Sequence, residues 1–231
     1  MKGYGMKVSI LRAALLAAPF FLAACGAGDK SAAAPADISA AAPAAKPDKD
    51  RLLPTDMILG NRKAAVTLIE YASLTCPVCG YVATEILPDI EKKYVDTGKV
   101  RLVFREFPTH NPKLSLAVSV LTRCAVDKSG PDVFFPLIDA LFKTQKDWEA
   151  DDRKPVLAKI FAKAGLKEDD LDACLQRDDL IALVNANART GAEDYEIGGT
   201  PTFILNGKPV KFKTKEELDQ KIAAAVAAAK K

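Results

Sequence analysis

Histidine is almost missing from this chain of 231 residues. It occurs once, as His110, in the turn-like stretch Pro108-Thr109-His110-Asn111-Pro112. A single histidine cannot furnish a His-pair zinc site, and no Ser–His–Asp arrangement is visible. A glycine-rich phosphate loop is also lacking. So is an excess of charge. The formal net charge of +3 belongs to the first 24 residues, where Lys2, Lys7 and Arg12 are basic and nothing is acidic. The remainder sets 30 Lys and Arg against 30 Asp and Glu, which gives no basic face for nucleic acid. The runs Lys208 to Lys215 and Lys230-Lys231 read as solvated faces or helix-end charges. Trp148 and Phe134-Phe135 read as helix packing. No apolar run reaches the roughly 20 residues that a membrane helix needs; Ala13 to Leu22 is too short.

That short run is still informative. A basic start, a short apolar stretch and small residues ahead of a cut describe a secretory signal over residues 1–24. Met6-Lys7 is an alternative start that leaves the signal intact. Leu22-Ala23-Ala24-Cys25 resembles the lipobox of bacterial lipoproteins. The resemblance implies that Cys25 is acylated, becomes the mature N-terminus and anchors the chain to a membrane without crossing it. Five cysteines then become an even set of four. Residues 25–55 are rich in Ala, Pro, Lys, Asp and Ser and hold almost no large apolar side chain. They read as a flexible tether of about 25–30 Å reach. The alternative, an Ala-rich helix, is broken by Pro35, Pro43 and Pro47.

A folded domain is expected over residues 56–231. Ala65 to Tyr71 reads as a strand, Val78 to Tyr94 as a helix kinked at Pro88, and Lys99 to Phe107 as a second strand. Strand, helix, strand implies a parallel pair with a right-handed crossover. From about residue 113 to 195 only helical periodicity is found. Helices are expected at Leu114–Val126, Val133–Lys146, Val156–Ala164, Lys167–Leu175 and Asp179–Tyr195. Thr202 to Leu205 and Pro209 to Phe212 form a hairpin about Asn206-Gly207. Thr214 opens a last helix with a capping-box pattern, to about Ala229. The order is βαβ, an inserted helical block, then ββα, an α/β arrangement.

Two of the four remaining cysteines stand in Cys76-Pro77-Val78-Cys79, between the first strand and its helix. A helix N-terminus presents unpaired N–H groups and the positive end of the dipole, so it favours a thiolate. Such a site lowers a cysteine pKa below its free value of about 8.5. Pro77 suits the first helical position, where its missing N–H is not needed. The spacing points to thiol–disulfide exchange. The alternative is half of a zinc site, which needs two further ligands. Cys124 and Cys174 are single and far apart, and His110 has no partner.

The element order, the C-x-x-C after the first strand and Gly199-Thr200-Pro201-Thr202-Phe203 before the third resemble a thioredoxin fold carrying a helical insertion. In that fold the proline is cis and packs against the C-x-x-C; an ordinary trans proline at a strand start is the alternative. Glu70 to Cys79, Val103 to Pro108 and Gly198 to Phe203 resemble the DsbA-like thiol–disulfide oxidoreductases, in their lipoprotein or tethered branch. The resemblance covers about Asp56 to Ala228.

The resemblance implies that Cys76 is the nucleophile and the exposed sulfur, and that Cys79 is the buried resolving partner. Thr200 and Pro201 line a substrate groove, where a client peptide adds as a strand. Glu70 is a partly buried acid that takes the proton of Cys79; an outward-facing strand glutamate is the alternative. Pro77 and Val78 tune the pair. The strongest oxidants of the family carry histidine where this chain has Val78, so a less acidic Cys76 and a weaker oxidant are expected. Cys124 and Cys174 form a structural disulfide, or else a second redox pair. No cofactor or metal is implied. The implied partners are exported client proteins held through mixed disulfides, a membrane redox protein that recharges Cys76–Cys79, and the membrane itself, on the periplasmic side. A disulfide isomerase or reductase is the second reading. A copper chaperone is the third, with Met57 the nearest methionine.

Overall fold

The computed structural model describes residues 52–230. The expected signal over 1–24, the lipidation at Cys25 and residues 25–51 of the expected tether lie outside the described residues.

The run Val66–Ala72 forms strand β2, and all seven of its residues are buried. Such a run, apolar and β-branched on both faces, belongs in the middle of a sheet. Three further strands flank it: β3 (Val100–Glu106), β4 (Thr202–Leu205) and β5 (Lys208–Val210). β3 pairs parallel to β2 on one side, β4 antiparallel on the other, and β5 antiparallel beyond β4. A fifth strand, β1 (Met57–Leu59), lies antiparallel outside β3. The sheet order is β1-β3-β2-β4-β5.

The parallel pair requires a crossover, and residues 77–95 supply it. They run through α1 (Pro77–Tyr81), a wide π-type segment Val82–Ile86, α2 (Leu87–Ile90) and a second wide segment Glu91–Val95. Pro88 explains the first widening. It has no N–H to donate, and its ring collides with the carbonyl four residues earlier; wider turns relieve that collision. The proline therefore appears as widened turns within the helix that the sequence places here.

The insertion comprises α3 (Pro112–Ser129), a 3₁₀ turn Pro131–Val133, α4 (Phe134–Lys143), α5 (Gln145–Glu149), α6 (Arg153–Ala162), α7 (Glu168–Cys174) and α8 (Asp178–Tyr195). One helix expected over Val133–Lys146 is thus divided. Thr144 leaves helical geometry at φ −113° and ψ 20°, and its hydroxyl donates to the Ala140 carbonyl at 2.7 Å. The hairpin turns at Asn206 (φ 46°) and Gly207 (φ 71°), as a type I′ turn requires. Its second strand ends at Val210, two residues before the expected end. In α9 (Lys215–Ala228) the Thr214 hydroxyl accepts from the Glu217 N–H at 3.3 Å.

Two large apolar clusters cover one face of the sheet, and a smaller one, with Ile69, Tyr71, Val103 and Ile204, covers the other. Of the two large clusters, one joins Phe104 to Phe134, Leu141 and Trp148 of the insertion and includes Cys76 and Cys79. The other packs Val66, Leu68 and Phe203 against Ile90, Leu218 and Ile222. Two buried ion pairs fix the end of β3. Arg105 donates to both Asp56 oxygens at 2.8 Å and to the Tyr71 hydroxyl at 2.7 Å. Arg123 reaches across from α3 to Glu106 and to the Thr55 carbonyl. Asn187 of α8 also donates to Glu106, at 2.6 Å. The Arg123–Glu106 pair ties the insertion to the sheet, and in either pair loss of one partner strands the other in the core.

Candidate active site

β2 ends at Ala72, and the chain reaches α1 through Ser73, Leu74 and Thr75. Hydroxyls hold this link. Ser73 Oγ meets Ser115 Oγ of α3 at 2.9 Å. Ser73 and Thr75 both donate to the Thr109 carbonyl, at 3.1 and 2.9 Å. Cys76 follows as the N-cap residue of α1, with extended backbone (φ −86°, ψ 117°) and Pro77 at the helix start. The Cys76 Sγ accepts the Cys79 N–H at 3.4 Å, in the place usually taken by a capping oxygen. The Thr200–Pro201 bond is cis. It brings the Thr200 carbonyl to 3.4 Å from the Cys76 Sγ, where the thiol donates to it. The Thr200 and Thr109 hydroxyls lie 2.7 Å apart. Thr109 therefore bridges the cysteine loop and the cis-proline loop.

Cys76 and Cys79 are free thiols, and they differ sharply in electrostatics. Cys76 is pulled down to about 5, first by the hydrogen bond from the Cys79 thiol, then by the Thr200 side chain and by the N–H groups of Cys79 and Val78, against the effect of burial. The Cys79 thiol is pushed far up, first by burial, then by its bond to Cys76 and by the Glu70 carboxylate. Glu70 lies in β2 and is 2% exposed. Its carboxyl is raised to about 8, chiefly by burial, with Glu91 and Cys76 adding to the shift. The Glu70 Oε1 has no hydrogen-bond partner among the described residues.

One expectation needs correction. Both cysteines are fully covered, so Cys76 is not the more exposed sulfur. Its sulfur turns back onto the helix start and lies against the cis-proline loop. The two thiols are distinguished by hydrogen bonding, which dominates at Cys76, and by desolvation, which dominates at Cys79. The exposed apolar surface beside them is Val78, 55% exposed, and Tyr81, 60% exposed. His110 sits in its turn at φ 61° and is exposed. Met57 is buried in β1. Cys124 of α3 and Cys174 of α7 are joined by a disulfide, with a Cα–Cα distance of 5.8 Å.

Gln145 had no signal in the sequence. It stands at the start of α5, and its amide donates to the Leu74 carbonyl at 2.7 Å and the Cys76 carbonyl at 3.1 Å. The insertion thereby clamps the loop that carries the nucleophile. Gly80 makes room for it, since a Cβ there would stand 2.8 Å from the Gln145 Oε1.

The thioredoxin family pattern matches residues 52–224. A Rickettsia conorii protein that carries a protein-disulfide oxidoreductase name is 35% identical over 153 residues, covering 66% of this chain and 53% of the relative. The chain thus spans about half the length of such Rickettsia relatives. Disulfide bond formation protein D of Bacillus subtilis is 29% identical over 168 residues, covering 71% of this chain and 74% of the relative. The crystal structure of oxidised BdbD from Bacillus subtilis superimposes with a TM-score of 0.67 at 25% identity, covering 74% of this chain and 93% of that one. Alpha-DsbA1 of Wolbachia pipientis gives a TM-score of 0.67 at 26% identity, covering 77% and 94%. With its C-x-x-C at a helix start, a cis-proline against the first sulfur and a helical insertion over both, the chain belongs to the DsbA-like disulfide oxidoreductases of the thioredoxin fold.

Proposed function

We propose that this chain is a membrane-tethered, exported thiol–disulfide oxidoreductase that introduces disulfides into other exported proteins. The observation that carries the reading is the contrast between Cys76, whose sulfur caps the helix start, accepts the Cys79 N–H at 3.4 Å and is pulled down to about 5, and a Cys79 held neutral by burial. A pair whose reduced form is stabilised in this way gives up its disulfide readily. A client thiolate attacks the Cys76 sulfur of the Cys76–Cys79 disulfide. Cys79 leaves with the electron pair and takes a proton, for which Glu70 is the nearest acid. A second client thiolate then attacks the client sulfur of the mixed disulfide, the client disulfide forms, and Cys76 departs as a thiolate. Two electrons have passed to the pair, and a membrane redox partner removes them. Thr200 and Pro201 supply the backbone edge along which the client lies. The anchor is the lipid on Cys25. Among the described residues no helix is long and apolar enough to cross a membrane.

Val78 favours a second reading, an isomerase or reductase, because it gives Cys76 neither charge nor a side-chain donor. Val78→His is expected to lower the Cys76 pKa by about one unit and raise the potential by about 30 mV. Thiolate absorbance against pH and equilibration with glutathione measure the two effects. An unchanged pKa would remove Val78 as a tuning residue.

Trapping with Cys79→Ser in the native host separates the readings. The variant accumulates mixed disulfides between Cys76 and exported proteins, while Cys76–Cys79 in the unaltered chain is found oxidised. A reduced pair in vivo assigns the isomerase or reductase role. A lack of adducts with exported proteins sinks both.

A further inference from the structure

A small cavity lies between β2, the crossover helix and α4. Its volume is about 110 Å³, space for about three water molecules. Three carboxylates line it at increasing exposure: Glu70 from β2, Glu91 from the second wide turn of the crossover, and Asp139 from α4. The rest of the wall is apolar, including Leu87, Leu102 and Phe142, and no basic side chain lines it among the described residues. Glu70, buried and with an unpartnered Oε1, is the innermost of the three. Its charge is felt at two cysteines that are closed to solvent.

We propose that Glu91 is the outer station of a proton path that runs from bulk water through this cavity to Glu70 and so to Cys79. The inference rests on the reading of Glu70 as the proton partner of Cys79. When the Cys76–Cys79 disulfide is opened, the Cys79 sulfur gains one proton and the Glu70 carboxyl loses it. Glu70 is then a buried anion, and it must regain a proton before the next cycle. Water in the cavity carries that proton from the Glu91 carboxyl, which is replenished from solvent. When the pair is reoxidised the proton leaves by the same route.

The groups around Glu91 suit the task. From α4 it faces Asp139 and Lys143, which pair with each other at 2.8 Å; from its own helix end it faces Asp96, and from β2 it faces Glu70. Burial first, then the charges of Asp139 and Asp96, raise its carboxyl to about 7, with Lys143 opposing. Near neutral pH it both gives and takes protons, as a relay group must.

The test uses the full oxidised chain and dithiothreitol in stopped flow, with rates divided by the concentration of reductant thiolate. In the native chain this normalised rate falls as pH rises through about 7 to 8. Glu91→Gln is expected to slow it about tenfold at neutral pH, less than the ~10²–10⁴ of a direct acid–base group. The lower limb of the profile disappears and the limb near 8 remains. Glu91→Asp restores most of the rate, and thermal unfolding confirms that each variant is folded. A Glu91→Gln profile that superimposes on the native one, while Glu70→Gln alters it, overturns the Glu91 path alone. If Glu70→Gln also superimposes, the Glu70 reading fails first and the path fails with it.

Discussion

Cys76→Ser brings disulfide exchange with a reduced client protein down to the uncatalysed level, a loss of more than about 10³-fold. A serine hydroxyl cannot hold a disulfide, and none of the surrounding donors creates a substitute sulfur. The assay is the rate of client oxidation by the pre-oxidised chain; residual activity above the uncatalysed rate would remove Cys76 from its role. Cys79→Ser behaves differently, because Cys76 keeps its nucleophile and only release is impaired. The same thiolate makes the reduced chain sensitive to acid. The Cys76 pKa is depressed, from 9.0 to about 5. The stability its thiolate gives the reduced fold is therefore full above about 9 and is lost as pH falls through about 5. Glu70 acts in the opposite sense. Its pKa is raised from 4.5 to about 8, so the stability of its neutral form is full below about 4.5 and is lost as pH rises through about 8. The melting temperature of the reduced chain, relative to the oxidised one, is expected to fall on acidification from neutral pH to below 5. A gap that widens instead would show that the thiolate is not the stabilised form.

The main frame of the fold was legible because its signals are local. Val66 to Tyr71 and Lys99 to Phe107 are β-rich runs of strand length. Asn206-Gly207 is a two-residue hairpin turn, and Thr214 is a helix cap. What escaped depends on partners distant in sequence. β1 is three residues long, and only its pairing with Leu102 to Phe104 of β3 makes it a strand. The break at Thr144 is the local exception: its hydroxyl turns back onto the carbonyl of Ala140, four residues earlier, a bond that a threonine makes in many unbroken helices too. Gln145 is an ordinary polar helix residue until the fold brings it to carbonyls about seventy positions earlier. Arg105 and Arg123 belong to apolar-looking runs, and their carboxylate partners are chosen by topology alone. In the site, the cysteine spacing and Pro201 were readable, since each has a narrow chemical meaning. The covering of Cys76 was not. It follows from how closely the cis-proline loop approaches the helix start, a distance that no residue pattern encodes.

Replacing Cys124 and Cys174 together by alanine is expected to lower stability by about 4 kcal/mol. The disulfide spans 50 residues, a loop that holds the end of α3 and all of α4, α5, α6 and α7. Closing it removes unfolded conformations, and the effect grows with the logarithm of loop length. For a chain of this size the melting temperature falls by about 8–16 °C. The position of the bond gives that loss a structural meaning. α3 anchors the insertion to the sheet, through Arg123 on Glu106 and Ser115 on Ser73. α7 is tied to α3 by the disulfide, and that attachment loosens without it. The redox alternative predicts something else. The groups that lower the Cys76 pKa belong to Cys79, Thr200 and Val78, and none lies on α3 or α7. A purely structural disulfide therefore leaves the Cys76–Cys79 equilibrium with glutathione within about twofold of its native value while the melting temperature drops. A shift of tenfold or more, about 30 mV for a two-electron couple, would make Cys124–Cys174 a regulator of the active pair. Among the described residues, one hydrogen-bonded chain of contacts able to transmit it is the hydroxyl link from Ser115 through Ser73 to Thr109 and Thr200. Ser115→Ala in the native background then decides whether that link is the carrier, because it cuts the link and leaves the disulfide intact.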